Sequence, residues 1–421
     1  MTAAVTSGGY RVAPARLDAA ATELGGRSGA LETAQKDVAG VSVPATAFGQ
    51  VSASAGCAAT VTKTLTELSE KIGSQAQRAK VLQSGLTASA AGYRRADEQV
   101  ASWYRALLPE DPLPPVSGPA GATASGPWAS AIAANRTEVS GALAAEQKRL
   151  STLRDASAIA QSQRRIALYQ DVLANNRQIL KFDPAGDGRI VELVGAIRPG
   201  TRNVGLFVPG VNTRLDDFQG YADLGRSLVA ADPTGRTAVV VWADGDFPQN
   251  PVLEGPDASY AQAMAPDLKA FGDQLRTQVD AQTGGAATIT AIGHSYGGAT
   301  VGLADQQGLA VDRVVHVESA GMGHGVWSPA DLPASQTGVQ RYSMTAPLDP
   351  IVLAQGNAWG AEWTGIGHGA DPDGFPGVTD LATGADAAGN ELWGLSSHND
   401  VLKPGSDSWT NIYRVLTGTR P

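Results

Sequence analysis

Gly293-His294-Ser295-Tyr296-Gly297 sets a serine between two glycines, directly after the largely β-branched run Thr288-Ile289-Thr290-Ala291-Ile292 and before Gly298-Ala299-Thr300. A strand, a sharp turn and a helix start in this order read as a nucleophile elbow, whose turn exposes a serine hydroxyl while small neighbours let strand and helix pack closely. In a chain of 421 residues with 50 glycines the five-residue pattern alone is weak. Its flanks carry it, because a glycine-rich loop with an incidental serine needs neither the β-branched run before it nor the helix start after it.

A serine hydroxyl is a poor nucleophile at neutral pH. It needs an imidazole to take its proton and a carboxylate to hold that imidazole's tautomer, in the chain order serine, acid, histidine. The chain has five histidines. His294 lies inside the elbow, where its side chain is expected to point away from Ser295. His316 falls within a strand and reads as a core histidine, and His324 precedes any strand able to deliver the acid. His398, in Ser396-Ser397-His398-Asn399-Asp400 ahead of a final amphipathic helix around Trp409 to Leu416, is the expected base; His368 is the alternative. Asp349, soon after the strand Gln340 to Met344, is the expected acid, and Glu318, at the end of the strand Val314 to Val317, competes with it. A turn aspartate before Pro350 would look the same.

The negative charge of a tetrahedral intermediate calls for two backbone N–H donors. Tyr296, after the nucleophile, supplies one. The strand Val204-Gly205-Leu206-Phe207-Val208 runs into Pro209-Gly210-Val211-Asn212-Thr213, and the N–H of Val211 is the candidate for the other. No phosphate-binding Gly-x-x-x-x-Gly-Lys-Ser/Thr and no zincin histidine pair occurs, so neither a cofactor nor a metal is expected.

Short apolar strands at Val204 to Val208, Ala238 to Trp242, Thr288 to Ile292, Val314 to Val317 and Gln340 to Met344 alternate with helical segments. That alternation implies a parallel sheet with right-handed crossovers. Before it, Ile132 to Leu180 reads as helix, making 130–180 a helical lead-in to a domain over 129–421. Asp183-Pro184-Ala185-Gly186-Asp187-Gly188 lacks the alternating oxygen ligands of a calcium loop and reads as a turn. Residues 107–128, rich in Pro, Gly, Ser and Ala, read as a semi-rigid linker. Residues 1–106 read as an antiparallel pair of helices: one stripe runs through Leu17, Ala21, Leu24, Leu31 and Val38, a second through Val61, Leu65, Leu68, Ile72, Ala79, Leu82, Leu86 and Tyr93.

Composition narrows the function classes. With 43% apolar residues the chain can bury a sizeable core, and a net charge of −9 argues against a duplex nucleic-acid partner. Cys57 is the single cysteine, which excludes an intrachain disulfide and leaves the redox compartment open. No apolar run is long enough for a membrane span, and the first residues lack the charged and apolar regions of a signal peptide.

Two resemblances add to this reading. Leu206-Phe207-Val208-Pro209-Gly210-Val211-Asn212-Thr213, the elbow, Asp349-Pro350-Ile351-Val352 and Ser397-His398-Asn399-Asp400, in that order, resemble an actinobacterial α/β-hydrolase domain long catalogued as of unknown function, over about residues 130 to 421. That resemblance implies the α/β-hydrolase fold and the triad Ser295, Asp349, His398, but no substrate. Residues 10–104, with a turn at Phe48-Gly49 and the pair Tyr93 and Asp97 one helical turn apart, resemble the Trp-x-Gly-type hairpins of type VII secretion substrates. Phe48 stands where Trp is commonest, with no residue between it and Gly49. This second resemblance implies secretion machinery or a helical protein as partner, and a secreted or envelope location reached without a signal peptide; a cytoplasmic location is the alternative.

The expectation is thus a serine hydrolase acting on a small-molecule or lipid ester through an acyl-enzyme. The alternatives are an exported interaction protein whose hydrolase domain is inactive or secondary, and an acyltransferase with the same acyl-enzyme.

Overall fold

The computed structural model describes residues 14–49, 53–106, 127–251, 254–347, 349, 367–394 and 397–419. They fall into two compact units, divided between Pro114 and Pro115.

The first unit is a helical hairpin of α1 (Pro14–Ala39) and α2 (Ser54–Ala106). The helices meet through small residues, with Ala21, Ser28, Ala58, Ala76 and Ala79 buried, so the backbones approach closely. Gly25 lies against Gln83 and Gly73 against Gln35, which makes the pair antiparallel. The Ser28 hydroxyl donates to the Ala76 carbonyl at 3.1 Å, and Lys80 pairs with Glu32 across the seam. Between the helices a 3-10 turn, Ala45–Phe48, ends at Gly49, whose φ of 85° lies in the left-handed region. Tyr93 and Asp97 fall within α2; their side chains lie outside the described part.

The second unit opens with α3 (Pro127–Leu150) and α4 (Ala156–Ala174). The single helix expected from Ile132 to Leu180 is therefore two helices followed by a strand. The break falls at Asp155, whose carboxylate accepts the Ala158 N–H at 2.8 Å and caps α4. β1 (Gln178–Asp183) starts within that expected span, and Asp183 to Gly188 turns it into β2 (Arg189–Val194) as an antiparallel hairpin.

The other strands are β3 (Asn203–Val208), β4 (Thr237–Ala243), β5 (Thr288–His294), β6 (Arg313–Val317), β7 (Gln340–Met344) and β8 (Val378–Asp380). The sheet order is β1-β2-β4-β3-β5-β6-β7-β8, antiparallel from β1 to β4 and parallel from there on. Between strands lie α5 (Phe218–Ala230), α6 (Ser259–Thr283) and α7 (Tyr296–Gln306), and the helix α8 (Asp407–Thr417) follows the last strand. Every residue of β4 and all but the first of β5 is buried, as a parallel sheet sandwiched between helices requires. Because β3, β5, β6, β7 and β8 run the same way, their carboxyl ends deliver five loops to one end of the sheet.

Candidate active site

Those five loops hold the residues that carry chemistry. At the end of β5 the chain enters α7 through Ser295, whose φ of 55° is unusual for a residue with a side chain. The strain is held in place from both sides: the Ser295 N–H donates to Val317 O at 2.9 Å, and its carbonyl accepts from Gly298 and Ala320, both at 3.0 Å. Gly297 makes the turn possible. A Cβ there would sit 2.2 Å from the Val208 carbonyl oxygen and 2.3 Å from that of Pro209, so the start of α7 reaches β3 only without a side chain.

Ser295 Oγ donates to His398 Nε2 at 2.8 Å, and His398 Nδ1–H donates to Asp349 Oδ2 at 2.5 Å. All three are buried. His398 rides on a single helical turn, Ser397–Asp400, between β8 and α8, and Asp349 lies on the loop after β7. Asp349 supplies the acceptor that keeps the ring proton on Nδ1 and leaves Nε2 free to take the serine proton.

The other histidines lie elsewhere. His368 Nε2–H donates to the Gly255 carbonyl at 2.7 Å, and its ring stands edge-on to Tyr296 with centroids 4.8 Å apart. Burial lowers its pKa to about 4, so it is a neutral strut tying the loop after β4 to the segment at 367–370. His324 donates through Nδ1 to Gly367 O at 3.0 Å, and His316, fully buried, meets Ser319 Oγ at 3.3 Å. His294 reaches the site through His398, its ring centroid 5.1 Å from that of His398. Its Nε2–H donates to the His398 carbonyl at 2.7 Å. Burial, then the neighbouring His398, pulls the His294 pKa down to about 3, which keeps that ring neutral. Sequence reasoning missed this contact; the only signal for it was a titratable residue closing a strand that otherwise carries none.

The loop after β3 passes directly over Ser295: a Cβ on Gly210 would lie 2.6 Å from Ser295 Cβ and 3.0 Å from its Oγ. The Gly210 carbonyl accepts from Thr213 Oγ1 at 2.6 Å. In a trans peptide this turns the N–H of Val211 to the opposite side. The Ser295 carbonyl is likewise tied back by Gly298 and Ala320, which turns the N–H of Tyr296 the other way. Tyr296 is also the first residue of α7, where the helix dipole favours negative charge. Its phenol is built into the frame, accepting from the Ala261 N–H at 3.1 Å and donating to the Asp257 carbonyl.

Glu318 follows β6 and lies beside the triad rather than within it. One oxygen from Glu318, one from Asp349 and one ring nitrogen of His398 fall within 4.8 Å of one another. His398 Nδ1 is bonded to Asp349, not to Glu318.

A strained serine at a strand-to-helix turn, on a mostly parallel eight-stranded sheet flanked by helices, defines the α/β-hydrolase fold. Residues 183–355, within the second unit, match the family model described as alpha/beta hydrolase. Among solved structures, the chain is similar to a lidless α/β serine hydrolase from Xanthomonas campestris (15% identity, 58% of this chain and 93% of that one, TM-score 0.33). It is also similar to a dienelactone hydrolase from Anabaena variabilis (15%, 57% and 95%, TM-score 0.32) and a thermostable esterase from Pseudomonas putida (12%, 67% and 95%, TM-score 0.33). No curated protein matches the sequence.

Proposed function

We propose that the second unit is a serine hydrolase that cleaves a carboxylic ester through an acyl-enzyme. The observation that carries this reading is the unbroken chain from Ser295 Oγ through His398 to Asp349, at 2.8 and 2.5 Å. Ser295 Oγ attacks the ester carbonyl as His398 Nε2 takes its proton. The imidazolium stays paired with Asp349 and then protonates the leaving alkoxide. Water, deprotonated by the same histidine, releases the acid and restores the serine. The N–H groups of Tyr296 and Val211 bind the oxyanion, each contributing about 3 kcal/mol to the transition state.

A fluorophosphonate probe tests the reading directly. The parent protein labels and hydrolyses a p-nitrophenyl ester, and Ser295→Ala does neither; equal labelling of the variant sinks the assignment. Product analysis with added alcohol or amine acceptors separates hydrolysis from acyl transfer.

For the first unit we propose an export or docking role, which the sequence resemblance of residues 10–104 supports. Deleting 1–104, or replacing Tyr93→Ala, is expected to abolish secretion; unchanged secretion removes this reading.

A further inference from the structure

Glu318 is an unusual residue to find at the end of β6. It is fully buried, carries a negative charge in its ordinary state, and holds a φ of 46°, a strained conformation for a side chain of its size. Strain of this kind persists only where the surroundings impose it. Here they do so through two hydrogen bonds: Glu318 N–H donates to Met344 O at 2.8 Å, and Glu318 Oε1 accepts the Ala346 N–H at 2.8 Å. Both contacts fix the chain that leads from β7 to Asp349.

The second carboxyl oxygen, Oε2, is enclosed, and among the described residues no N–H or O–H reaches it. An enclosed carboxylate oxygen without a donor is costly. The Asp349 carboxylate lies alongside, within the 4.8 Å grouping that includes His398. Two buried carboxylates this close share a proton rather than both ionise, and the proton then bridges them.

We propose that Glu318 is a positioning residue for the triad: a neutral carboxylic acid that donates its O–H to Asp349 and so holds the acid in register with His398. The inference rests on the reading of Ser295, His398 and Asp349 given above. Burial first, then the bond to Asp349 and its charge, raise the Glu318 pKa to about 9, and Asp373 pushes the same way. Asp349 thus keeps the single negative charge of the cluster, and Glu318 supplies a donor where a second negative charge would repel it.

The test is the pH dependence of fluorophosphonate labelling and ester turnover in the parent and in Glu318→Gln and Glu318→Ala. Glutamine is neutral at every pH and keeps both an acceptor for the Ala346 N–H and a donor for Asp349. Its acidic limb is expected to coincide with that of the parent, with kcat close to parental. The alanine variant is expected to lose about tenfold or more in kcat with KM little changed, as when a group supporting a catalytic residue is removed. An acidic limb displaced downward by about one unit in Glu318→Gln means that the parent residue is ionised, and overturns the proposal.

The parent supplies a second measurement if the variants fail to fold. Its labelling rate should fall between about pH 8 and 10, with circular dichroism unchanged, as the bridging proton is lost. A flat profile overturns the proposal. A parent that never labels overturns the hydrolase reading itself, whereas a labelling parent with a displaced glutamine profile overturns only the role of Glu318.

Discussion

His294 Nε2 lies 2.7 Å from the main-chain carbonyl of His398, so the residue before Ser295 grips the backbone of the residue that accepts the Ser295 hydroxyl. The ring is neutral because burial holds its pKa near 3, and a neutral ring with its proton on Nε2 can only donate there. Its other nitrogen, Nδ1, has no partner among the described residues. One side chain of β5 thus sets the height of His398 over Ser295. Replacing His294→Ala is expected to lower kcat about tenfold or more while leaving the Ser295 hydroxyl in place. Esterase kinetics with a chromogenic ester, at KM little changed, would show it; an unaffected kcat would mean the grip is incidental.

His398 and His368 respond differently to the same substitution. His398→Ala removes the base and is expected to cost about a thousandfold or more in kcat without loss of fold. His368→Ala instead leaves the Gly255 carbonyl without its donor and a void against Tyr296, so the melting temperature drops while turnover per folded molecule persists. Thermal melts and turnover measured on the same samples separate the two; the opposite pattern would exchange their roles.

Gly210→Ala brings a methyl group into contact with Ser295 Cβ at 2.6 Å. The loop must move, and with it the N–H of Val211, so a loss of about a hundredfold in kcat is expected, comparable to deleting one oxyanion donor. The far ends of β3 and β5 are untouched, so stability should change little. Parental turnover in this variant would remove the loop after β3 from the site.

Acid destabilises the second unit through three histidines. Burial depresses the folded-state pKa of His294 and His316 to about 3 and of His368 to about 4. Each group has an unfolded value near 6.5, so its contribution is fully present above that value and is lost as pH falls, because the unfolded chain binds the extra proton. Between the unfolded value and pH 5 the loss is on the order of 2 kcal/mol per histidine. Glu318 acts with the opposite sign at the other end. Its pKa is raised to about 9, so its contribution is present in acid and fades as pH climbs from its unfolded value toward 9. Urea unfolding midpoints across this range should fall on the acid side below about pH 6.5, and His316→Gln should flatten that limb. A limb of equal slope in the variant would exclude His316 as a source.

The parallel half of the sheet was legible because its strands are continuous apolar runs, and continuous runs are what a doubly covered sheet needs. The antiparallel edge was not. β2 contains Glu192, whose charge breaks the apolar run in the sequence. In the fold Arg177 meets it at 2.6 and 2.9 Å, so the ion pair is buried together. β1 was hidden for another reason: Leu173 and Leu180 share a helical spacing, and nothing local announces that the chain turns extended between them. β8 spans three residues, two of them exposed, and offers no pattern.

Within the site, order along the chain points to His398 and Asp349, and the fold brings both into one hydrogen-bonded chain with Ser295 because it delivers its loops in sequence order. The contacts of His294 and Glu318 depend on which way a buried side chain turns at the end of a strand. Spacing carries no such information.

The groups around Ser295 come from five separate places in the chain, and His398 lies 103 residues beyond the serine. A nascent chain can complete β3, β5 and the strained turn while Ser295 still lacks its hydrogen-bond partner His398. The Ser295–His398–Asp349 chain is therefore complete only when the last loop closes onto the sheet. On the proposed function, truncated or half-folded copies of this protein are inert by construction rather than by inhibition, and labelling of Ser295 is expected to report complete folding.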